Sequence, residues 1–126
     1  MPSMSRLFLG LGGLSAMLSV LIGAFGAHAL RGRLTPDLLA VYHTGAQYQF
    51  YHALGLLIVA LFIAHFPECR GFVCAGWLMV AGTVLFSGSL YALSFTGIRL
   101  FGAITPIGGV AFIVAWAFLV VVALRT

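Results

Sequence analysis

Long apolar runs alternate with short polar segments along the chain, and together they fill almost all of its 126 residues. Four apolar runs cover roughly residues 7–30, 46–65, 72–93 and 106–124. A hydrocarbon core about 30 Å thick requires roughly 20 helical residues, and each run comes close to or exceeds that length. Because the intervening segments are short, consecutive helices are expected to run antiparallel. The pattern predicts an all-α membrane protein with four transmembrane helices in an up-down four-helix bundle.

The composition agrees with a membrane environment. Apolar residues make up 63% of the chain and charged residues only 6%, whereas charged residues make up about 25% of a typical soluble domain. Six basic and two acidic side chains are too few to cover the surface of a water-soluble fold. We therefore predict a single integral membrane domain over residues 1–126, with the lipid bilayer as its main partner.

The basic side chains indicate where the chain meets the membrane surface. They are all arginines near the ends of the apolar runs, where they contact lipid headgroups, so no nucleic-acid binding is expected. Four spans place both termini on one side of the membrane. The arginines divide three against three between the two sides, and the free N-terminal amine gives only a weak preference for cytoplasmic termini. The six positions are Arg6, Arg31, Arg33, Arg70, Arg99 and Arg125.

The first apolar run imitates a secretory signal, since it ends in Ala-His-Ala at residues 27–29. Residues 7–27 nevertheless exceed the length of a signal core, which has about 7–15 residues. Small residues also recur at every fourth position and share one helical face, where a neighbouring backbone can approach closely. We predict a retained first helix that packs through a stripe formed by Ser15, Ser19, Gly23 and Ala27.

Two Thr-Pro pairs have the features of helix starts. Thr35 is a suitable N-cap, Pro36 suits the first helical position, and Asp37 suits the positive end of the helix dipole. A helix over residues 36–65 would be about 45 Å long, so its amphipathic part, about 36–45, is expected to leave the hydrocarbon core, with any kink near Gly45. Thr105-Pro106 repeats the pair and predicts the fourth helix start, after a connection at about 94–105.

Polar side chains within the apolar runs are the candidates for a functional site, because such groups cost free energy in hydrocarbon. His43 and His52 lie about 180° apart around a regular helix, so they cannot hold one group together. A bound group would need a ligand from another helix, and His28 is the candidate. Histidines from facing helices form the axial pair of many b-type haems. The cofactor-binding candidates are His28, His43, His52, Gln47 and Tyr51.

Three interpretations of these side chains stay open from the residues alone. Interfacial or interhelical hydrogen-bonding roles are favoured; each interhelical contact contributes roughly 0.6–2 kcal/mol and needs no ligand. A haem- or quinone-binding redox membrane anchor is the first alternative. A small-solute or proton transport path is the second. We predict no cofactor, because the favoured interpretation requires none.

Enzyme signatures are missing from the sequence. Asp37 and Glu68 both fall at expected membrane interfaces, so no span supplies a carboxylate to a hydrolase or a proton pump. No nucleophile elbow, zinc-protease motif or phosphate loop occurs. Cys69 and Cys74 are five residues apart, which is neither a redox nor a zinc spacing. We predict a non-enzymatic protein with no catalytic residue and no metal site.

Four blocks of sequence resemble a known family. They are GAFGAHAL at residues 23–30, QYQFYHALG at 47–55, LFSGSLY at 85–91 and TPIGG at 105–109. In this order they are similar to hallmarks of domain-of-unknown-function family 423, which also includes transmembrane protein 256. The resemblance implies a small multi-pass protein of the bacterial inner (cytoplasmic) membrane, and it implies no activity and no site residue. The expected role is a structural or accessory component, as a homo-oligomer or within a larger membrane complex.

Overall fold

Four long helices form the protein in the computed structural model, which describes residues 1–125. Each helix has the length and hydropathy needed to cross a membrane, and no β-strand occurs within residues 1–125. The predicted all-α membrane fold is confirmed. In chain order, the first to fourth helices are Ser3–His28, Pro36–His65, Arg70–Thr96 and Arg99–Arg125.

Consecutive helices run antiparallel, and contacts at both ends of each pair show it. Ser5, near the start of the first helix, donates to the carbonyl of Ala60 near the end of the second. Tyr42, near the start of the second helix, donates to the carbonyl of Ile22 near the end of the first. The up-down bundle is therefore confirmed. Further antiparallel contacts join Gly45 to Ser87, Phe62 to Phe72, Ser89 to Thr105 and Gly71 to Val122.

The apolar core lies between the second and third helices, toward the end of the bundle where the first helix begins and the fourth ends. These two helices are buried over much more of their length than the first and fourth. Phe8 enters the core from the first helix and Ala115 from the fourth, and both are fully buried. The remaining core side chains are Leu56, Val59, Ala60, Ile63, Phe72, Ala75 and Met79.

The first helix packs along a seam with a seven-residue spacing. Its small buried residues are Ser5, Gly12, Ser19 and Gly26. Residues seven apart differ in angular position around a straight helix by only about 20°, whereas residues four apart differ by about 40°. A seven-residue spacing therefore stays on one face of the helix for longer. Gly12 permits close packing on the second helix, because a Cβ there would lie 3.0 Å from the backbone carbonyl oxygen of Ala53 and 2.9 Å from Cδ2 of Leu57.

The predicted four-residue stripe coincides with this seam only in part. Ser19 is buried, and the backbone carbonyl of Ser15 accepts a hydrogen bond from Gln49 on the second helix. Gly23 is only partly buried and would place a Cβ in open space, and Ala27 is exposed. The stripe therefore leaves the interface as it advances along the helix.

The second helix begins as the sequence predicts and continues without a break. Thr35 caps it by accepting the N–H of Leu38 over 3.2 Å, and Pro36 follows as the first helical residue. Residues 36–45 belong to the same helix, which is unbroken at Gly45. Gly45 instead permits close packing, since a Cβ there would lie 2.8 Å from Cε1 of Tyr91.

The connection between the third and fourth helices is much shorter than the predicted segment at 94–105. Only residues 97 and 98 separate the helices, and Gly97 ends the third helix in the left-handed conformation with φ of 69°. Thr105-Pro106 does not begin a helix, because Pro106 lies inside the fourth helix. A proline ring requires only a φ near −65°, which a helix interior also has, although the carbonyl of Gly102 loses its N–H partner.

The third helix contains one widened turn in its middle. Residues Thr83–Ser87 are π-helical, a rare feature that inserts a bulge into an α-helix. The turn packs closely on the fourth helix, because a Cβ on Gly108 would lie 2.8 Å from Cα of Phe86 in the turn. Ser87, the last residue of this turn, faces the second helix, and Ser89 faces the fourth.

Candidate functional site

Hydrogen-bonded side chains of the second, third and fourth helices, most of them buried or partly buried, form what we call the polar network. It joins all four helices through side-chain and backbone oxygen and nitrogen atoms. Its location matters because an unpaired polar group costs several kcal/mol in hydrocarbon. The members are Tyr42, Gln49, His52, Ser87, Ser89, Tyr91, Thr105 and Trp116.

His52 is the central aromatic member, and both of its ring nitrogens have partners. Nδ1 lies 2.7 Å from the carbonyl oxygen of Tyr48, one turn earlier on the same helix. Nε2 lies 3.0 Å from the indole nitrogen of Trp116 on the fourth helix. A carbonyl only accepts and an indole N–H only donates, so Nδ1 carries the proton and Nε2 accepts. This geometry requires a neutral imidazole with no free lone pair.

Aromatic packing holds the same ring in place. The imidazole of His52 stacks on the phenyl ring of Phe112, with 3.4 Å between ring centroids and 7° between planes. Phe112 itself is buried against the π-helical turn of the third helix. Only 4% of His52 is exposed. The ring therefore serves as a connection between the second and fourth helices.

Gln49 connects the first, second and third helices. Its Nε2 donates to the carbonyl of Ser15 over 3.0 Å, and its Oε1 accepts from the hydroxyl of Tyr91 over 2.6 Å. A side-chain amide has both a donor and an acceptor, so one residue can link two helices whose partner groups differ. Gln49 is buried, and these bonds replace the water it would otherwise bind.

Serine hydroxyls complete the network around the widened turn. Ser87 donates to the carbonyl of Gly45 over 2.7 Å. The hydroxyls of Ser89 and Thr105 lie 2.6 Å apart and join the third and fourth helices. Within residues 1–125, every buried side-chain nitrogen or oxygen atom has a hydrogen-bond partner. The buried polar atoms of the network are thus all paired with other groups of the same chain.

Of the five predicted cofactor-binding residues, only His52 belongs to the network. Gln47 and Tyr51 are exposed and bond to each other along the second helix. His28 is exposed at the end of the first helix. His43 is partly buried beside the ring of Tyr42, with 5.6 Å between ring centroids. The part of the chain that the structure describes contains no group of three His, Cys, Asp or Glu side chains that could hold a metal ion.

Seven of the eight network members were not among the predicted site residues, and Tyr91 and Trp116 are two of them. Tyr91 and Trp116 each supply a donor across a helix interface. A signal for Trp116 is present in the sequence, because it lies in the middle of the fourth apolar run and not at an end, where membrane tryptophans are enriched. Although 38% of Trp116 is exposed, its indole N–H has an acceptor in Nε2 of His52.

Together these features define a multi-pass membrane protein whose four helices are joined by a self-contained polar network. A protein-family model described as "Protein of unknown function (DUF423)" matches residues 22–109. The chain belongs to this family, as the resemblance of its four sequence blocks predicted.

Curated relatives cover nearly the whole chain. The UPF0382 membrane protein YwdK of Bacillus subtilis is 52% identical over 120 residues, which is 95% of this chain and 98% of the relative. The UPF0382 membrane protein SERP0230 of Staphylococcus epidermidis is 46% identical over 120 residues, 95% of this chain and 97% of the relative. The UPF0382 membrane protein SH2409 of Staphylococcus haemolyticus is 47% identical over 116 residues, 92% and 93% respectively. No solved structure matches the chain.

Proposed function

We propose that this chain is a non-catalytic structural or accessory component of the bacterial cytoplasmic membrane, in which the polar network holds the four helices in register. The observation that carries the proposal is the complete pairing of buried polar side chains within residues 1–125. Catalysis or ligand binding at the bundle centre would require groups that are free to act. Each network residue instead forms at least one hydrogen bond with a neighbouring helix.

The geometry of His52 argues against the redox-anchor alternative. A haem iron or metal ion binds an imidazole through an unprotonated nitrogen, and Trp116 already occupies that nitrogen. Ligation would require the indole to move and would leave its N–H unpaired in an apolar site. His28 lies exposed at the end of its helix, outside the network.

The arrangement gives equally little support to a proton or solute path. The hydrogen bonds of the network end on the backbone carbonyls of Ser15, Gly45 and Tyr48, which cannot take up a proton at ordinary pH. Proton relays in membranes commonly use ionisable residues. Of the two acids of this chain, Asp37 lies in the first turn of the second helix and Glu68 in the connection before the third.

The exposed surface of the bundle indicates what the protein contacts in the membrane. The first and fourth helices expose most of their apolar length, which suits contact with lipid, with a second copy, or with a larger membrane complex. The relatives are bacterial membrane proteins, which supports placement in the cytoplasmic membrane. An even number of spanning helices supports placing both termini on one side, and the N-terminal amine favours the cytoplasm.

A spectrum of the purified protein tests the proposal. We would purify the intact chain in mild detergent and measure visible absorption, metal content and extractable quinone, with His52→Ala as the comparison. The proposal expects no stoichiometric chromophore, metal or quinone in either protein. A Soret band or a bound quinone that is present in the parent and lost in His52→Ala would overturn it.

A further inference from the structure

A cavity of about 790 Å³ opens at the end of the bundle that holds both termini. It lies where the second helix ends, the third begins and the fourth ends, and its volume falls in the range of roughly 300–1,000 Å³ usual for small-ligand sites. None of the polar network residues lines it. We call it the aromatic pocket, and its main residues are Phe62, His65, Phe66, Glu68, Phe72 and Leu119.

Three phenyl rings form one wall of the aromatic pocket. The ring centroids of Phe62 and Phe72 lie 5.2 Å apart with 12° between planes, and Phe66 lies 6.4 Å from each of them. Phe72 is buried, whereas Phe62 and Phe66 are exposed. Aromatic faces carry negative partial charge and attract cations, including ammonium groups. This wall can therefore accept both an alkyl chain and a cationic head.

Two side chains of the pocket can accept hydrogen bonds. Glu68 supplies a carboxylate, and within residues 1–125 it forms no ion pair. Nδ1 of His65 lies 3.2 Å from the carbonyl of Leu61, so in the neutral ring Nδ1 donates and Nε2 is left as an acceptor. A ligand head that donates hydrogen bonds and carries positive charge complements both groups.

The position of the pocket adds the requirement for an apolar tail. Arg70 begins the third helix and Arg125 ends the fourth, and arginines at such ends mark the level of the lipid headgroups. The lining is mostly apolar and includes Leu119 one to two turns deeper than Arg125. A ligand here would place its head at the headgroup level and its tail in the hydrocarbon.

We propose that the aromatic pocket binds an amphipathic ammonium, with its alkyl chain against Phe72 and Leu119 and its head between Phe62 and Glu68. Two sources share this chemistry: the aminophospholipid phosphatidylethanolamine and a free long-chain amine. An anionic phospholipid would place its charge beside Glu68, which is unfavourable, even though the nearby arginines attract it to the surface in general.

Native mass spectrometry of the full chain in detergent tests the site. The probes are phosphatidylethanolamine, phosphatidylglycerol and dodecylammonium, each titrated separately. Glu68→Gln removes the carboxylate charge from an exposed side chain, and Asp37→Asn removes the only other acid, at the opposite end of the bundle. We expect Glu68→Gln to weaken ammonium binding about fivefold, and Asp37→Asn to leave it unchanged. Leu119→Trp, which fills the cavity, is expected to reduce binding of the same probe, with a thermal melt to verify folding.

The three probes separate the sources. Binding of phosphatidylethanolamine alone, sensitive to Glu68→Gln, supports the site with a lipid as its occupant. Binding of dodecylammonium that Glu68→Gln weakens supports the site and shows that an ammonium group alone is sufficient as the head. Equal binding of phosphatidylglycerol, or binding that neither Glu68→Gln nor Leu119→Trp changes, overturns the proposal. Absence of binding by both ammonium probes overturns it as well.

Discussion

Trp116 in the fourth helix donates its indole N–H to Nε2 of His52 in the second helix, across 3.0 Å. The two helices run parallel, unlike each consecutive pair, and this bond joins them near the middle of the bundle. Because the indole has no acceptor, the bond exists only if Nε2 is unprotonated. The carbonyl of Tyr48 then requires the proton on Nδ1.

The first prediction concerns this tautomer. We expect His52 to be neutral with its proton on Nδ1, since that is the one arrangement in which both ring nitrogens are paired. Nitrogen-15 NMR of histidine-labelled protein distinguishes the two tautomers and the imidazolium, and a His52→Ala sample assigns the signal. A His52 signal from the Nε2-protonated tautomer or from the imidazolium near pH 7 would contradict the geometry.

The second prediction measures the strength of the Trp116 bond. Trp116→Phe keeps an aromatic ring but removes the donor, so we expect it to lower the free energy of unfolding by about 1 kcal/mol. Trp77→Phe is the control, because Trp77 is exposed and contacts Phe8 only through its ring, with 5.2 Å between centroids. Unfolding of both variants by denaturing detergent gives the comparison. Equal losses in the two variants would show that the indole hydrogen bond contributes nothing.

The third prediction concerns the link between Gln49 and Tyr91. A double-mutant cycle with Gln49→Leu and Tyr91→Phe should give a coupling free energy of about 0.6–1.7 kcal/mol, because the bond is partly buried and joins two helices. Measured unfolding free energies of the parent, both single variants and the double variant supply the cycle.

The exposed pair Gln47 and Tyr51 is the matched control for that cycle. Its members are also a glutamine and a tyrosine joined by a hydrogen bond, but they lie on one helix and face outward. Truncating them should give a coupling of about 0.5 kcal/mol or less. A larger coupling in the exposed pair than in the buried pair would reverse our assignment of which residues hold the bundle together.

The architecture could be predicted from the sequence because run length and composition determine it. A helix needs about 20 apolar residues to cross the hydrocarbon, and runs of this length can be counted directly in the sequence. The ends of the helices were harder to predict from the sequence. Thr35-Pro36 and Thr105-Pro106 have the same local chemistry, but one begins a helix and the other lies inside one. Proline is compatible with both positions, so the dipeptide alone does not distinguish them.

The site was harder to predict because it depends on contacts between helices. Helical spacing places Gln47 and Gln49 on different faces, but it does not reveal which face meets a neighbour. Gln49 meets the first and third helices, whereas Gln47 faces outward. Trp116 becomes a partner of His52 only because the fourth helix lies parallel to the second, which no local pattern specifies. The residues that pair between helices could therefore be identified only from the structure.

The last prediction uses two neighbouring glycines of the fourth helix. A Cβ on Gly108 would lie 2.4 Å from the backbone nitrogen of Phe86 and 2.8 Å from its Cα, at the π-helical turn of the third helix. Backbone atoms cannot move aside as a flexible side chain can, so we expect Gly108→Ala to lower the free energy of unfolding by about 1–3 kcal/mol. A Cβ on Gly109 would lie 3.8 Å from Cδ2 of Phe86, which is an ordinary contact.

Gly109→Ala is therefore the control, and alanine should be neutral there or stabilising by up to about 1 kcal/mol, because it favours the helix over glycine. Both variants change one hydrogen to a methyl group at adjacent positions, so they differ in the neighbour that the methyl group meets. Unfolding by denaturing detergent, followed by circular dichroism, measures both. If the two variants were equally stable, the third and fourth helices would not approach as closely as the structure places them, and the turn at Thr83–Ser87 would lack its packing partner.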